Sequence, residues 1–241
     1  MIRVNKAVAL RMESCIKQTH IEVTKQYSLG QYKDINGGSA CFAGYDSFLS
    51  QVVGWGFSTQ PKHYETEIEH IENFYDSLHH SRIDIELCPF VGNDLVVFLS
   101  QRGYGISELN NVSLLALKDY KPHFFADDGI VVKQVSAGDL DEWSKRAAQG
   151  FGYPEAQEQF FRYAHALGTA VFAAYEGNKI IAVATVALHG DVGDMAVAST
   201  LPAYRRRGLQ KRLLNARLEF MQQKGAELAT VTTAPGTISD L

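Results

Sequence analysis

The run from residue 194 to 233 limits the possible folds more than any other part of the chain. It reads DMAVASTLPAYRRRGLQKRLLNARLEFMQQKGAELATVTT. A small-chained apolar strand ends at Pro202, a helix-period segment follows over residues 206–224, Gly225 stops it, and a second strand-like run closes the unit. Leu209, Leu213, Ala216 and Phe220 form one stripe of that helix, with Leu214, Leu218 and Met221 beside it. Strand, long helix and strand in this order predict a parallel pair joined by a right-handed crossover.

The same stretch holds an electrostatic contradiction. Arg205, Arg206 and Arg207 stand where the helix begins, and Lys211 and Arg212 follow in its first turn. A helix N-terminus is already positive, so each exposed cation there costs about 0.3–1 kcal/mol. The whole chain has a net charge of −4 and a pI near 6.1, which excludes a general affinity for nucleic acid or anionic membrane. The cause is therefore local. Unpaired N–H groups and the dipole make a helix start an anion site, Gly208 lets an anion approach the backbone, and arginine forks suit phosphate oxygens. The competing reading pairs these arginines with some of the chain's many carboxylates. MAVAST favours the anion, because such a strand offers main-chain hydrogen bonds to an extended ligand.

With 241 residues, 46% of them hydrophobic, the chain has material for one large or two modest domains. In the first half, helices are expected over 3–27, 63–79 and from NDLVVFLSQRGY, with strands from GSACFAG, QVVGWGF and RIDIELC. GISELNNVSLLAL reads as a strand or hairpin. KDYKPHFFADDG is aperiodic and reads as a linker. The second half reads strand (IVVKQV), helix (AGDLDEWSKRAAQGFG), helix (PEAQEQFFRYAHAL), a hairpin turned at EGNK, then the run above. The fold class is therefore α/β, or α+β with a mixed sheet. Cys15, Cys41 and Cys88 match no zinc or redox spacing, and no metal is expected. No apolar run is long enough for a membrane span or a signal peptide, and a reducing cytoplasmic location is expected.

STLPAYRRRGLQKRLL, with its strand before and helix after, resembles the acetyl-CoA signature of the GNAT superfamily of N-acetyltransferases. In the pattern Gln/Arg-x-x-Gly-x-Gly/Ala, Arg205 fills the first position and Gly208 the fourth, while Gln210 departs from the small residue. The resemblance implies a GNAT-like fold and acetyl-CoA as co-substrate. Main-chain groups of Ala198, Ser199 and Thr200 would pair with pantetheine. The turn Arg205, Arg206, Arg207, Gly208, Leu209, Gln210 and Lys211 would hold the pyrophosphate, and a splayed neighbouring strand would admit the thioester.

The first half, by the same likeness, is a degenerate GNAT-like copy without a cofactor site, because Glu65, Glu67 and Glu69 open its helix. The arrangement resembles bacterial two-domain GNAT proteins, with domains 1–118 and 129–241 joined by linker 119–128. The second domain is expected to lack its last helix and strands, as a truncated chain would, unless first-half residues or a partner chain complete the sheet. The implied activity is acetyl transfer to a primary amine of a small molecule or peptide. Asp194 is the leading base, Asp191 and His189 act through a water, and Tyr153 and Glu155 line the acceptor entrance. A homodimer is compatible with this reading. The alternative is a non-catalytic acetyl-CoA-binding or sensing protein.

Overall fold

The computed structural model describes residues 4–45, 47–57 and 63–236. The expected chain end after the last strand, residues 237–241, lies outside them. The chain divides into two compact units, built chiefly from Arg3–Asn110 and Asn111–Thr233.

The first unit contains α1 (Lys6–Thr24), β1 (Gln31–Ile35), β2 (Gly38–Phe42), β3 (Gln51–Val53), α2 (Tyr64–Ser77), β4 (Asp84–Ile85) and α3 (Asn93–Gln101). Its sheet order is β1-β2-β3-β4, antiparallel except for the parallel β3–β4 pair. Asn5 caps α1 by accepting from Val8 N at 3.0 Å, a bond type worth about 1 kcal/mol. Ile68, Ile71 and Tyr75 of α2 are fully buried with Phe42, Val52 and Trp55, as the spacing required. The strand β1 was not anticipated: QYKDI has four exposed residues out of five and carries no apolar period.

The carboxylates that open α2 are used inside this unit. Glu67 is buried and accepts from the Trp55 indole at 2.7 Å and from Asn36 at 2.5 Å. Glu65 and Glu72 both bind Arg102, Glu72 through a two-bond fork. Cys15, Cys41 and Cys88 are free thiols, and burial pushes Cys41 and Cys88 up to about 11. They are packing residues rather than nucleophiles.

The second unit contains β5 (Asn111–Ala116), β6 (Ile130–Gln134), α4 (Leu140–Phe151), α5 (Gln157–His165), β7 (Thr169–Glu176), β8 (Lys179–His189), β9 (Val192–Thr200), α6 (Leu209–Gln223) and β10 (Leu228–Thr233). The sheet order is β5-β10-β9-β8-β7-β6; β9–β10 is the parallel pair and the other pairs are antiparallel. One face packs on α6 through Phe172, Ala184, Val186, Met195, Leu213 and Met221. The other packs on α4 and α5 through Trp143, Ala147, Phe160, Val171, Ala173 and Val183. Alternate residues of β7 and β8 serve opposite faces, as the strand period demands.

The division differs from the sequence reading at one strand. Residues 111–116, assigned to the first half, form β5 and pair along their whole length with β10. They cover the open edge that β10 would otherwise expose, which is the stated alternative to a truncated sheet. The linker is a strap across α6: Tyr120 Oη and His123 N both donate to Asn215 Oδ1, and Gln222 Nε2 donates to the carbonyls of Leu117 and Tyr120.

Candidate functional site

Two irregularities in β9 create the site. The first is a fork. The parallel ladder with β10 runs from Val192–Leu228 to Met195–Val231 and goes no further, while β9 continues to Thr200. The β10-facing edge of Ala196–Thr200 is thus left without a ladder partner among the described residues. The second is a bulge. Val183 pairs with Ser199 and Thr185 with Ala196, so Val197 and Ala198 together span the position of Ala184. Val197 has φ 47°, which a β-branched residue adopts only under strain.

The extra residue reverses the facing of everything after it. Before it, Met195 packs toward α6. After it, Val197 packs with the α4–α5 cluster, Ser199 Oγ donates to Ala147 O at 3.2 Å, and the Thr200 hydroxyl meets Gln210 of α6. A methyl on Gly150 would lie 2.4 Å from Ser199 Oγ, so glycine there lets α4 approach this strand.

β9 leads through a short 3-10 turn, Pro202–Tyr204, to α6. The helix starts at Leu209, three residues later than its period suggested, so Arg205, Arg206 and Arg207 precede it. Gly208 is its N-cap with φ 72°, and Arg206 has φ 64°. Left-handed residues at such a turn direct N–H groups into a concavity. The first bond within the helix is Arg212 N to Gly208 O, so the helix supplies no acceptor for the N–H groups of Leu209, Gln210 and Lys211. A methyl on Gly208 would meet nothing within 4 Å; the space in front of the turn is open.

The cations separate into two sets. Arg205 donates to Thr200 O at 3.2 Å and Gly150 O at 2.8 Å, clipping β9 to the end of α4. Arg207 pairs with Glu176 at 2.7 Å and Arg212 with Asp128 at 2.9 Å. Tyr204 lies between Lys179, which donates to its hydroxyl, and Arg207, 5.4 Å from its ring centre. Arg206 and Lys211 have no side-chain partner among the described residues. Gln210 turns back to the strand: its Nε2 donates to Ser199 O at 2.9 Å and Thr200 Oγ1 at 3.0 Å. The extra bulk at this position is therefore tied to β9.

Asp194 lies opposite Thr230 of β10, one pair before the fork, and opposite Ala187 of β8. Asp191 and His189 lie farther along the chain toward the turn. They belong to the β8–β9 hairpin, where the carbonyl of Asp191 accepts from Glu227 N and Leu228 N and the His189 ring packs on Gly168. At about 3.3 Å per residue, Asp191 is roughly 13 Å along the strand from Met195. Tyr153 is exposed at the α4–α5 connection, next to the 3-10 turn that carries Glu155.

Arg217 was missed by the sequence reading. It is 4% exposed in the middle of α6, with Nη1 donating to Thr185 O at 3.0 Å and Nε to Leu213 O at 3.3 Å. Burial lowers its pKa to about 10 against the opposing effect of Asp194, so it is charged at neutral pH. The signal was present: Leu209, Leu213, Arg217 and Met221 form an i, i+4 row, and a cation inside an apolar row needs partners.

Residues 138–239 match the family model of the acetyltransferase (GNAT) family. The match takes in less than half of the chain, from the turn before α4 onward. The chain's solved likenesses extend over both units. A GCN5-related N-acetyltransferase from Kribbella flavida aligns with 92% of this chain and 86% of its own, at 17% identity and TM-score 0.68. A tandem GNAT protein from the clavulanic acid biosynthesis pathway aligns with 78% of this chain and 67% of its own, at 14% identity and TM-score 0.58. A functionally unknown conserved protein from Staphylococcus epidermidis covers 88% and 87%, at 9% identity and TM-score 0.51. At these identities the likeness establishes the fold. Comparison with curated protein sequences gave no match. No described helix is long and apolar enough to cross a membrane, and the described residues hold no cluster fit for a metal ion.

Proposed function

We propose that the second unit binds acetyl-CoA along β9 and the α6 turn and transfers its acetyl group to a primary amine of a small molecule or peptide. The supporting observation is the fork: β9 loses its β10 partner at Ala196 and runs, with no ladder partner on that edge among the described residues, to a helix N-terminus that no side chain caps. The chain's residues fit the group in three ways. The space before Gly208 is open, the N–H groups of Leu209, Gln210 and Lys211 lack helical acceptors, and Arg206 and Lys211 are cations with no side-chain partner among the described residues. These would hold the pyrophosphate, while the main chain at Ala198, beyond the last regular pair with β8, would pair with an amide of the pantetheine arm. Gln210 already occupies the carbonyl of Ser199, so that carbonyl contributes less than the family pattern implies.

We assign the amine's proton to Asp194, which lies one residue pair from the fork. The amine nitrogen bonds the acetyl carbon, the carbon–sulfur bond breaks, the thiolate leaves, and Asp194 takes the amine proton directly or through a water. Asp191 and His189, farther along the hairpin, are left in a secondary place. In the first unit, carboxylates engaged with Trp55, Asn36 and Arg102 open α2, and we assign that unit no cofactor.

Calorimetry with acetyl-CoA tests the reading. Wild-type protein should bind, and Arg206→Glu/Lys211→Glu should bind at least about 100-fold more weakly, at roughly tenfold per 1.4 kcal/mol lost at each charge. Equal affinity in the two proteins would remove the anion site. Release of free thiol with a panel of amines then separates a transferase from a protein that binds acetyl-CoA without turnover.

A further inference from the structure

We propose that Arg217 is a positioning residue: from beneath the sheet its guanidinium holds the register break of β9, and so keeps the strand edge at Ala196–Thr200 presented to the ligand. The argument begins with which way β8 points its carbonyls. Ile181 O accepts from Leu201 N, so the odd-numbered carbonyls of β8 face β9, because the direction alternates along a strand. Thr185 O is one of these, and it accepts from Arg217 Nη1 at 3.0 Å. Thr185 Oγ1 in turn donates to Ala196 O at 2.9 Å. Thr185–Ala196 is the last regular pair before Val197 departs with φ 47°. Side-chain donors therefore brace both carbonyls of the pair on which the bulge begins.

An apolar residue at 217 would fill the same stripe of α6 between Leu213 and Met221. It would lack the donor, and a buried carbonyl that loses a charged partner is left under-satisfied. The remedy open to the strand is to slide by one residue and restore a regular ladder. That slide would also move Ser199 off Ala147 and Thr200 off Gln210, because one residue of register exchanges the two faces. Arginine suits this place better than lysine: its planar fork also reaches Leu213 O, at 3.3 Å, from the same guanidinium.

The link to acetyl-CoA rests on the functional reading above; the effect on the strand does not. Hydrogen exchange of the ligand-free protein and acetyl-CoA affinity are therefore measured together on Arg217→Met, Arg217→Lys and Thr185→Val. Arg217→Met should accelerate exchange of the Ala196–Thr200 amides by about tenfold or more, with β6 and β7 unchanged, and weaken acetyl-CoA binding in step. Arg217→Lys should recover part of both losses. Thr185→Val should accelerate the same amides by a smaller factor. Wild-type exchange at Ala196–Thr200 in Arg217→Met, or acceleration spread evenly over the whole unit, would overturn the proposal. If Arg217→Met does not fold, unchanged local exchange in both remaining variants overturns it. A wild-type protein that fails to bind acetyl-CoA would sink the functional reading, and the exchange data alone would then decide the role of Arg217.

Discussion

Gly208 separates a conformational reason for glycine from a ligand reason. Its φ of 72° lies in the left-handed region, and a methyl added there would touch nothing within 4 Å. Gly208→Ala therefore adds no clash in the free protein. Its cost is the backbone strain of an L-residue in that region, about 1–2 kcal/mol. At roughly 2–4 °C per kcal/mol for a domain of this size, the melting point should fall by a few degrees. Gly208→Asn tolerates the left-handed region far better and should melt close to wild type. In the complex the two variants should converge. Either side chain intrudes on the open space before the helix start, and acetyl-CoA affinity should drop at least about tenfold in both, or about 1.4 kcal/mol. Calorimetry and thermal unfolding on three proteins suffice. Wild-type affinity in both variants would show that nothing approaches the backbone at Gly208, and the reading of the turn as a pyrophosphate cradle would fail.

Three further outcomes follow from named contacts. Asp194→Asn should leave acetyl-CoA affinity intact and lower amine acetylation by about 10²–10⁴-fold; an unchanged rate would place the base elsewhere. In the first unit, burial holds His20 down to about 4 from 6.5. The unfolded chain therefore takes a proton below pH 6.5 that the folded chain refuses, and the stability is complete above pH 6.5 and lost as pH falls toward 4. The loss is about 3 kcal/mol in total at 1.36 kcal/mol per unit. Urea unfolding between pH 7 and 4.5 should show this slope and His20→Gln should flatten it; parallel slopes would refute the assignment. Leu117 N donates to Glu227 O, so odd-numbered N–H groups of β5 face β10. Ser113→Pro should then cost about 3 kcal/mol by removing a ladder donor, and Val112→Pro much less. Equal melting points for the two would contradict the pairing of β5 with β10.

What the sequence disclosed, and what it withheld, follows from the range of each interaction. Helix stripes are local, so α2 and α6 were legible from spacing, and the crossover from β9 to β10 followed from strand–helix–strand order. β1 was hidden because an exposed strand has no apolar period to read. β5 was legible as a strand but not as a member of the second sheet, since its partner β10 lies more than a hundred residues away and nothing in NVSLLA names it. Asp194 was found as a carboxylate near a strand start. That it stands one pair before the fork, with Asp191 and His189 farther along the hairpin, depends on where the β10 ladder stops. The bulge has no local signature either: VAS is ordinary strand sequence, and the turn of Ser199 toward α4 and Thr200 toward α6 shows only in the fold.

The basic turn shows why a cluster of like charges is best judged one member at a time. Five cations near a helix start looked like one anion site, yet three are committed to the fold. Arg205 serves two backbone carbonyls, Arg207 serves Glu176, and Arg212 serves Asp128. The pairing reading thus accounts for these three, and the proposed anion site rests on Arg206 and Lys211. The commitments also place the two that remain. Arg205 fixes the end of β9 to α4, and Tyr204, between Lys179 and Arg207, fixes the 3-10 turn to the β7–β8 hairpin. The backbone between those two anchors and α6 can then hold Arg206 and Gly208 in left-handed conformations. Arg206 and Lys211 stand on either side of Gly208 in the sequence, with no carboxylate partner among the described residues. A helix dipole disfavours an unpaired cation at this end by about 0.3–1 kcal/mol, and two such cations there are what the proposed acetyl-CoA pyrophosphate would neutralise.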